Sequence, residues 1–103
     1  MMRQQELPKT MRALVAYGNG DYRFEPAYPT PECGPDDIIL KTEGCGICAG
    51  DLKCMHGAER FWGNETTPSW VRPPFIPGHE FLGRIVQVGE NVTEYQVGER
   101  VTA

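Results

Sequence analysis

Short apolar stretches alternate with glycine- and proline-rich turns along the whole chain, and none is long enough for an extended helix. Met11 to Tyr17 reads as an apolar strand, and Gly18-Asn19-Gly20-Asp21 as a turn returning it into a second strand, Tyr22 to Tyr28. Pro26, Pro29 and Pro31 exclude a helix here and predict an irregular crossing. After a second turn at Gly34-Pro35-Asp36-Asp37, Ile38 to Glu43 is expected as a strand with one buried face. Cys48 to His56 suits one or two helical turns ended by Gly57. Ala58 to Pro77 reads as loop, because Pro68, Pro73, Pro74 and Pro77 interrupt it among Phe61, Trp62, Trp70 and Phe75. Phe81 to Val88 restores strand character, and Gly83 inside it marks a bulge or a close approach of backbones. Gly89-Glu90-Asn91 turns again, and Val97 to Val101 starts another strand. No repeat or low-complexity tract is present.

Composition narrows this to one small, mainly β domain. The chain has 103 residues and a mass of 11.5 kDa, with 12 Gly and 9 Pro. Ten Lys and Arg against 14 Asp and Glu leave a net charge of −4, with no basic run, which argues against a phosphate-tracking nucleic-acid binder. The longest wholly apolar run, Ala13 to Tyr17, falls far short of the roughly 20 residues that cross a bilayer, so no membrane is expected. Residues 1–10 form a polar leader without an apolar core, so no secretory signal is expected and a cytoplasmic location is. The N-x-T triplets at Asn64 and Asn91 then read as chance. Of four cysteines, Cys45, Cys48 and Cys54 crowd into ten positions, which in a reducing compartment suggests metal or chemistry before bridges.

Two segments carry candidate chemistry: Gly44-Cys45-Gly46-Ile47-Cys48-Ala49-Gly50-Asp51 and Pro77-Gly78-His79-Glu80-Phe81. Together they supply thiols, an imidazole and carboxylates, the donor types of a catalytic zinc site. A structural zinc site more often pairs two CxxC knuckles, and this chain has one. A lone CxxC also occurs in inert turns, a lone His after Gly also serves structure, and an aromatic loop also suits plain packing. Composition and spacing leave these alternatives open.

The order of motifs resembles the N-terminal part of zinc-dependent medium-chain alcohol or polyol dehydrogenases. Met11-Arg12-Ala13 matches its first strand, Gly34-Pro35-Asp36-Asp37-Ile38 matches the segment preceding its second motif, and Gly46-Ile47-Cys48-Ala49-Gly50-Asp51 resembles its zinc-cysteine motif. Pro77-Gly78-His79-Glu80, followed by Gly83, Val86, Val88-Gly89, Val92, Val97-Gly98 and Arg100-Val101, resembles its zinc-histidine segment. The resemblance covers residues 11–103 and implies a partial GroES-like catalytic domain, a partly open β-barrel with short helices. It implies Cys48, His79 and Glu80 as zinc ligands, and Asp51 as an acid that orients the zinc histidine. Cys45 has no ligand counterpart, nor have Cys54 and His56. A local Cys45, Cys48, Cys54, His56 knuckle is the rival geometry.

The implied activity is oxidation of a small alcohol or polyol, with hydride transfer to NAD or NADP held by a domain absent from these residues. No GxGxxG follows a strand here, so the isolated piece is expected to be inactive, and the resemblance implies a homo-oligomer for the full-length protein. The family's proton relay starts at a Ser or Thr two residues after the zinc cysteine, where this chain has Gly50. Thirty residues separate Cys48 from His79, and His56-Gly57-Ala58 with Phe61-Trp62-Gly63 makes this long loop similar to that of threitol, erythritol or sorbitol dehydrogenase-like members. A different class, a stand-alone GroES-like binding module without catalysis, is the alternative.

Overall fold

A computed structural model describes residues 4–103, so the first three residues of the polar leader lie outside the described residues. The chain is mainly β with short helices: β1 (Thr10–Gly18), β2 (Asp21–Pro29), β3 (Ile38–Gly46), α1 (Ala49–Met55), α2 (Glu59–Trp62), β4 (Glu80–Val88) and β5 (Arg100–Thr102). Among the described residues the strands form two open sheets, β1-β2 and β3-β4-β5, and neither closes on itself. No helix among them is long and apolar enough to cross a membrane.

The described residues divide into two compact units, the first made of residues 4–10, 29–46 and 79–103. Its sheet places β4 between β3 and β5, antiparallel to both. Ile85 is fully buried and Val86 nearly so, and the backbone of Gly83 is buried beside them. Register shifts fall between Ile39 and Leu40 and between Thr42 and Gly44. At Gly83 the expected close approach is real. A Cβ there would enter the Lys41 carbonyl and meet the Thr42 Cα at 3.2 Å. Gly89 is confined in the same way against the Gly34 and Pro35 carbonyls. Gln4 and Gln5 bond β4: the Gln5 N–H donates to the Val86 carbonyl, and the Gln4 side-chain amide both donates to and accepts from the Val88 backbone.

The second unit comprises residues 11–28 and 47–78. Asn19 and Gly20 form the two-residue turn of the β1–β2 hairpin, and Gly20 has φ of 72°, which explains glycine at that position. Val15 and Ala16 are fully buried, with Ala13 and Cys54 close behind. Ala16 exchanges two backbone bonds with Phe75, of 2.8 and 3.1 Å, which ties the aromatic loop to β1. Trp62 packs on Phe75 and Phe61 on Trp70, with ring centroids 6.0 and 5.9 Å apart.

Three expectations need correction. Strand β3 runs three residues past Glu43 to Gly46, because the irregularity at Thr42/Gly44 lets the ladder continue. The stretch 58–77 is not all loop. Glu59–Trp62 lies ahead of its first proline and coils into α2, which Gly63 ends with φ of 77°. The last strand begins at Arg100 and not Val97, since Val97 and Gly98 turn, with φ of 100° at Gly98. Gly98 and Glu99 still bond Ile85 through their backbones, as the strand reading implied.

Candidate metal centre

Cys48 is the N-cap of α1, with the extended dihedrals φ −110° and ψ 172° that the cap position requires. Asp51 is the third helical residue and completes a capping box. The Cys48 N–H donates to Asp51 Oδ2 at 3.0 Å, while the Asp51 N–H donates to the Cys48 carbonyl at 3.1 Å. The Cys-x-x-Asp spacing is therefore a local folding instruction as well as a set of donors. Gly50 sits inside this first turn and brings no hydroxyl.

Glu80 opens β4, and His79 immediately precedes it. Gly78 before them has φ of 109°, a conformation that disfavours any side chain, and this accounts for the glycine of the Gly-His-Glu run. The His79 Nε2 and Glu80 Oε2 atoms stand 3.6 Å apart on side chains about half exposed. Nitrogen and oxygen donors on one tetrahedral zinc stand about 3.3–3.5 Å apart, so this pair suits a shared ion with little adjustment.

Strand register explains one of the glycines and one of the cysteines. Glu80 pairs with Gly46, and a Cβ on Gly46 would meet Glu80 Oε1 at 3.0 Å, so glycine keeps that face clear for the carboxylate. Cys45 pairs with Phe81, the next rung, and successive residues of a strand face opposite ways. Its sulfur thus lies on the other face from Glu80.

The remaining candidates have other surroundings. Cys54 is buried, and its sulfur accepts the Tyr22 hydroxyl at 3.6 Å. Burial first, then the bond to Cys54, pushes the Tyr22 phenol up to about 12. His56 is the exposed C-cap of α1. Six helical residues turn Cys54 roughly 240° from Cys48, so the rival knuckle has no common face on this helix. Sequence reasoning passed over the clearing role of Gly46 and the φ of Gly78. The signal for both was glycine immediately beside a candidate ligand.

The family model described as the alcohol dehydrogenase GroES-like domain matches residues 34–103. Among curated proteins, the chain is 42% identical over 101 residues to an erythritol/L-threitol dehydrogenase of Mycolicibacterium smegmatis, covering 95% of this chain and 28% of that protein. It is 38% identical over 89 residues to sorbitol dehydrogenase of Ovis aries, covering 86% of this chain and 23% of the relative. Among solved structures, a zinc-binding dehydrogenase of Sinorhizobium meliloti bound to NADP superposes with a TM-score of 0.74 at 33% identity, over 90% of this chain and 24% of that one. A 2R,3R-butanediol dehydrogenase of Bacillus subtilis superposes with a TM-score of 0.71 at 32% identity, over 90% of this chain and 27% of that one. The chain thus spans about a quarter of the length of these relatives. With its motifs, its open β sheets and its matched length in agreement, the chain belongs to the alcohol dehydrogenase family through its GroES-like domain.

Proposed function

We propose that these residues form the metal-bearing front part of an NAD(P)-dependent dehydrogenase that oxidises a small alcohol, in particular a short sugar alcohol. Cys48, His79 and Glu80 hold zinc, and Asp51 fixes the Cys48 segment and orients the histidine. The observation that carries this reading is the His79–Glu80 donor pair, 3.6 Å apart, at the rung where β3 ends and the chain passes on to Cys48. Thiolate, imidazole and carboxylate are the donors zinc prefers. Bound there, zinc supplies Lewis acidity that lowers the pKa of a substrate hydroxyl. The chain's own residues then hold the substrate end of the reaction, and the nicotinamide is held by residues beyond those present here. Because Gly50 carries no hydroxyl, water, Glu80 or another group would take the released proton in place of a relay starting at that position. The sugar-alcohol preference rests on the likeness to the erythritol/L-threitol and sorbitol dehydrogenases.

The test is a zinc determination on the purified protein carrying this chain, followed by turnover across C3–C6 polyols and simple long-chain alcohols with NAD and with NADP. The expected outcome is stoichiometric zinc and turnover of short polyols, both lost in a Cys48→Ser, His79→Ala double variant. Unchanged turnover in that variant removes the zinc-site assignment, whereas no turnover of any alcohol by the unsubstituted protein removes the enzyme reading and leaves the binding-module alternative. Preference for long-chain alcohols removes the polyol assignment alone.

A further inference from the structure

Cys54 is a buried sulfur outside the proposed zinc ligand set, and it stands at the far end of the helix that Cys48 caps. Helix α1 has only seven residues, and isolated helices shorter than about 12–15 residues are marginal in water. Contacts must therefore hold it. Cys54 is its one buried residue, whereas Leu52 and Met55 are 51% and 45% exposed and hold little. Three donors converge on Cys54. The Tyr22 hydroxyl reaches its sulfur at 3.6 Å, Trp62 Nε1–H reaches its carbonyl at 2.6 Å, and the Gly57 N–H reaches the same carbonyl at 3.2 Å. The Gly57 bond closes the end of α1 itself, and the other two tie that end to β2 and to α2.

We propose that Cys54 is a positioning residue for Cys48: its buried sulfur docks α1 on Tyr22, beside the Trp62 bond to the helix backbone, and so sets where the Cys48 sulfur stands. This rests on the zinc reading given above. Six residues separate the two positions, about 9 Å along the helix axis, so a small rotation at the mount carries directly to the cap. Functional constellations tolerate only about 0.5 Å of misplacement, which makes a two-turn helix with a single buried side chain sensitive at that side chain. A cysteine suits the place because its sulfur is small, apolar and still an acceptor for the desolvated Tyr22 hydroxyl. Alanine there leaves a void and a phenol without its acceptor.

The experiment loads the protein carrying this chain with Co(II) and reads the thiolate-to-cobalt charge-transfer band, alongside zinc affinity by chelator competition. In the unsubstituted protein the band is expected, and Cys48→Ser abolishes it. Cys54→Ala shifts or weakens the band and lowers zinc affinity about tenfold, in the range typical of residues that orient ligands from behind. Cys54→Ser, which keeps an acceptor for Tyr22, restores most of both. Cys54→Ala with an unaltered band and affinity, and merely a lower melting temperature, overturns the positioning role. If that variant does not fold, Tyr22→Phe decides: a smaller loss in the same direction supports the role, and unaltered values overturn it. Absence of any Cys48-dependent band in the unsubstituted protein instead overturns the zinc reading itself.

Discussion

Gly83 and Gly44 show how differently two glycines in one sheet are constrained. A Cβ on Gly83 enters the Lys41 carbonyl, a backbone atom that moves only if β3 shifts against β4, whereas a Cβ on Gly44 meets nothing within 4 Å. Gly83→Ala is expected to lower stability by about 1–3 kcal/mol in urea unfolding, and Gly44→Ala by no more than about 0.5 kcal/mol. Equal effects would show that the ladder tolerates separation at Gly83. Charge adds a second residue-scale test. The Arg100 guanidinium bonds Glu43 at 2.9 and 3.2 Å, and that bond, with Arg100, Arg84 and Lys41 charge behind it, holds the Glu43 carboxyl below its ordinary 4.5. A depressed carboxylate stabilises the fold above its unfolded pKa and loses that contribution as pH falls. The stability gap between the unsubstituted protein and Glu43→Gln should therefore be present at pH 7 and shrink below pH 4.5; a gap independent of pH contradicts the ion pair. Tyr22 works at the other end of the scale. Its phenol ionises near 12 when folded and near 10 when unfolded, so its contribution is whole below pH 10 and disappears between 10 and 12. In an absorbance titration, one tyrosine should ionise near 12 and revert toward 10 in denaturant.

At the level of elements, local chemistry was readable where it is short-range and hidden where it depends on pairing. The hairpin turn at Asn19-Gly20 and the stop at Gly57 were legible, because a φ of 72° or 83° asks for glycine whatever surrounds it. The continuation of β3 through Cys45 and Gly46 was not, because only the bulge beside Gly44 keeps the ladder in register that far. Nor was α2, whose four residues are held by tertiary contacts such as the Trp62 ring on Phe75. For α1 the capping box makes a direct prediction. Asp51→Ala removes the acceptor of the Cys48 N–H and should cost roughly 1 kcal/mol, and Asp51→Asn, which keeps an acceptor, appreciably less. Urea titration of the metal-free protein measures both without interference from the proposed zinc.

For the whole molecule, the proposed metal links site and stability. An ion that binds the folded chain with zinc at a hundredfold its dissociation constant stabilises by about 2.7 kcal/mol. Chelation should lower the melting temperature of the unsubstituted protein and leave Cys48→Ser unmoved; an equal drop in both places the stabilising metal elsewhere. The amino-acid sequence by itself determined the turn-rich β class, the candidate donors at Cys48, His79 and Glu80, and the missing hydroxyl at Gly50, since residue identity and near-neighbour spacing set all of these. Tertiary structure decided the rest. Strand pairing set Glu80 opposite Gly46 and turned Cys45 to the other face, and packing buried Cys54 against Tyr22. The physical reason is that register and burial arise from contacts between residues far apart in the chain, and their side-chain partners are chosen only when the backbone has closed around them.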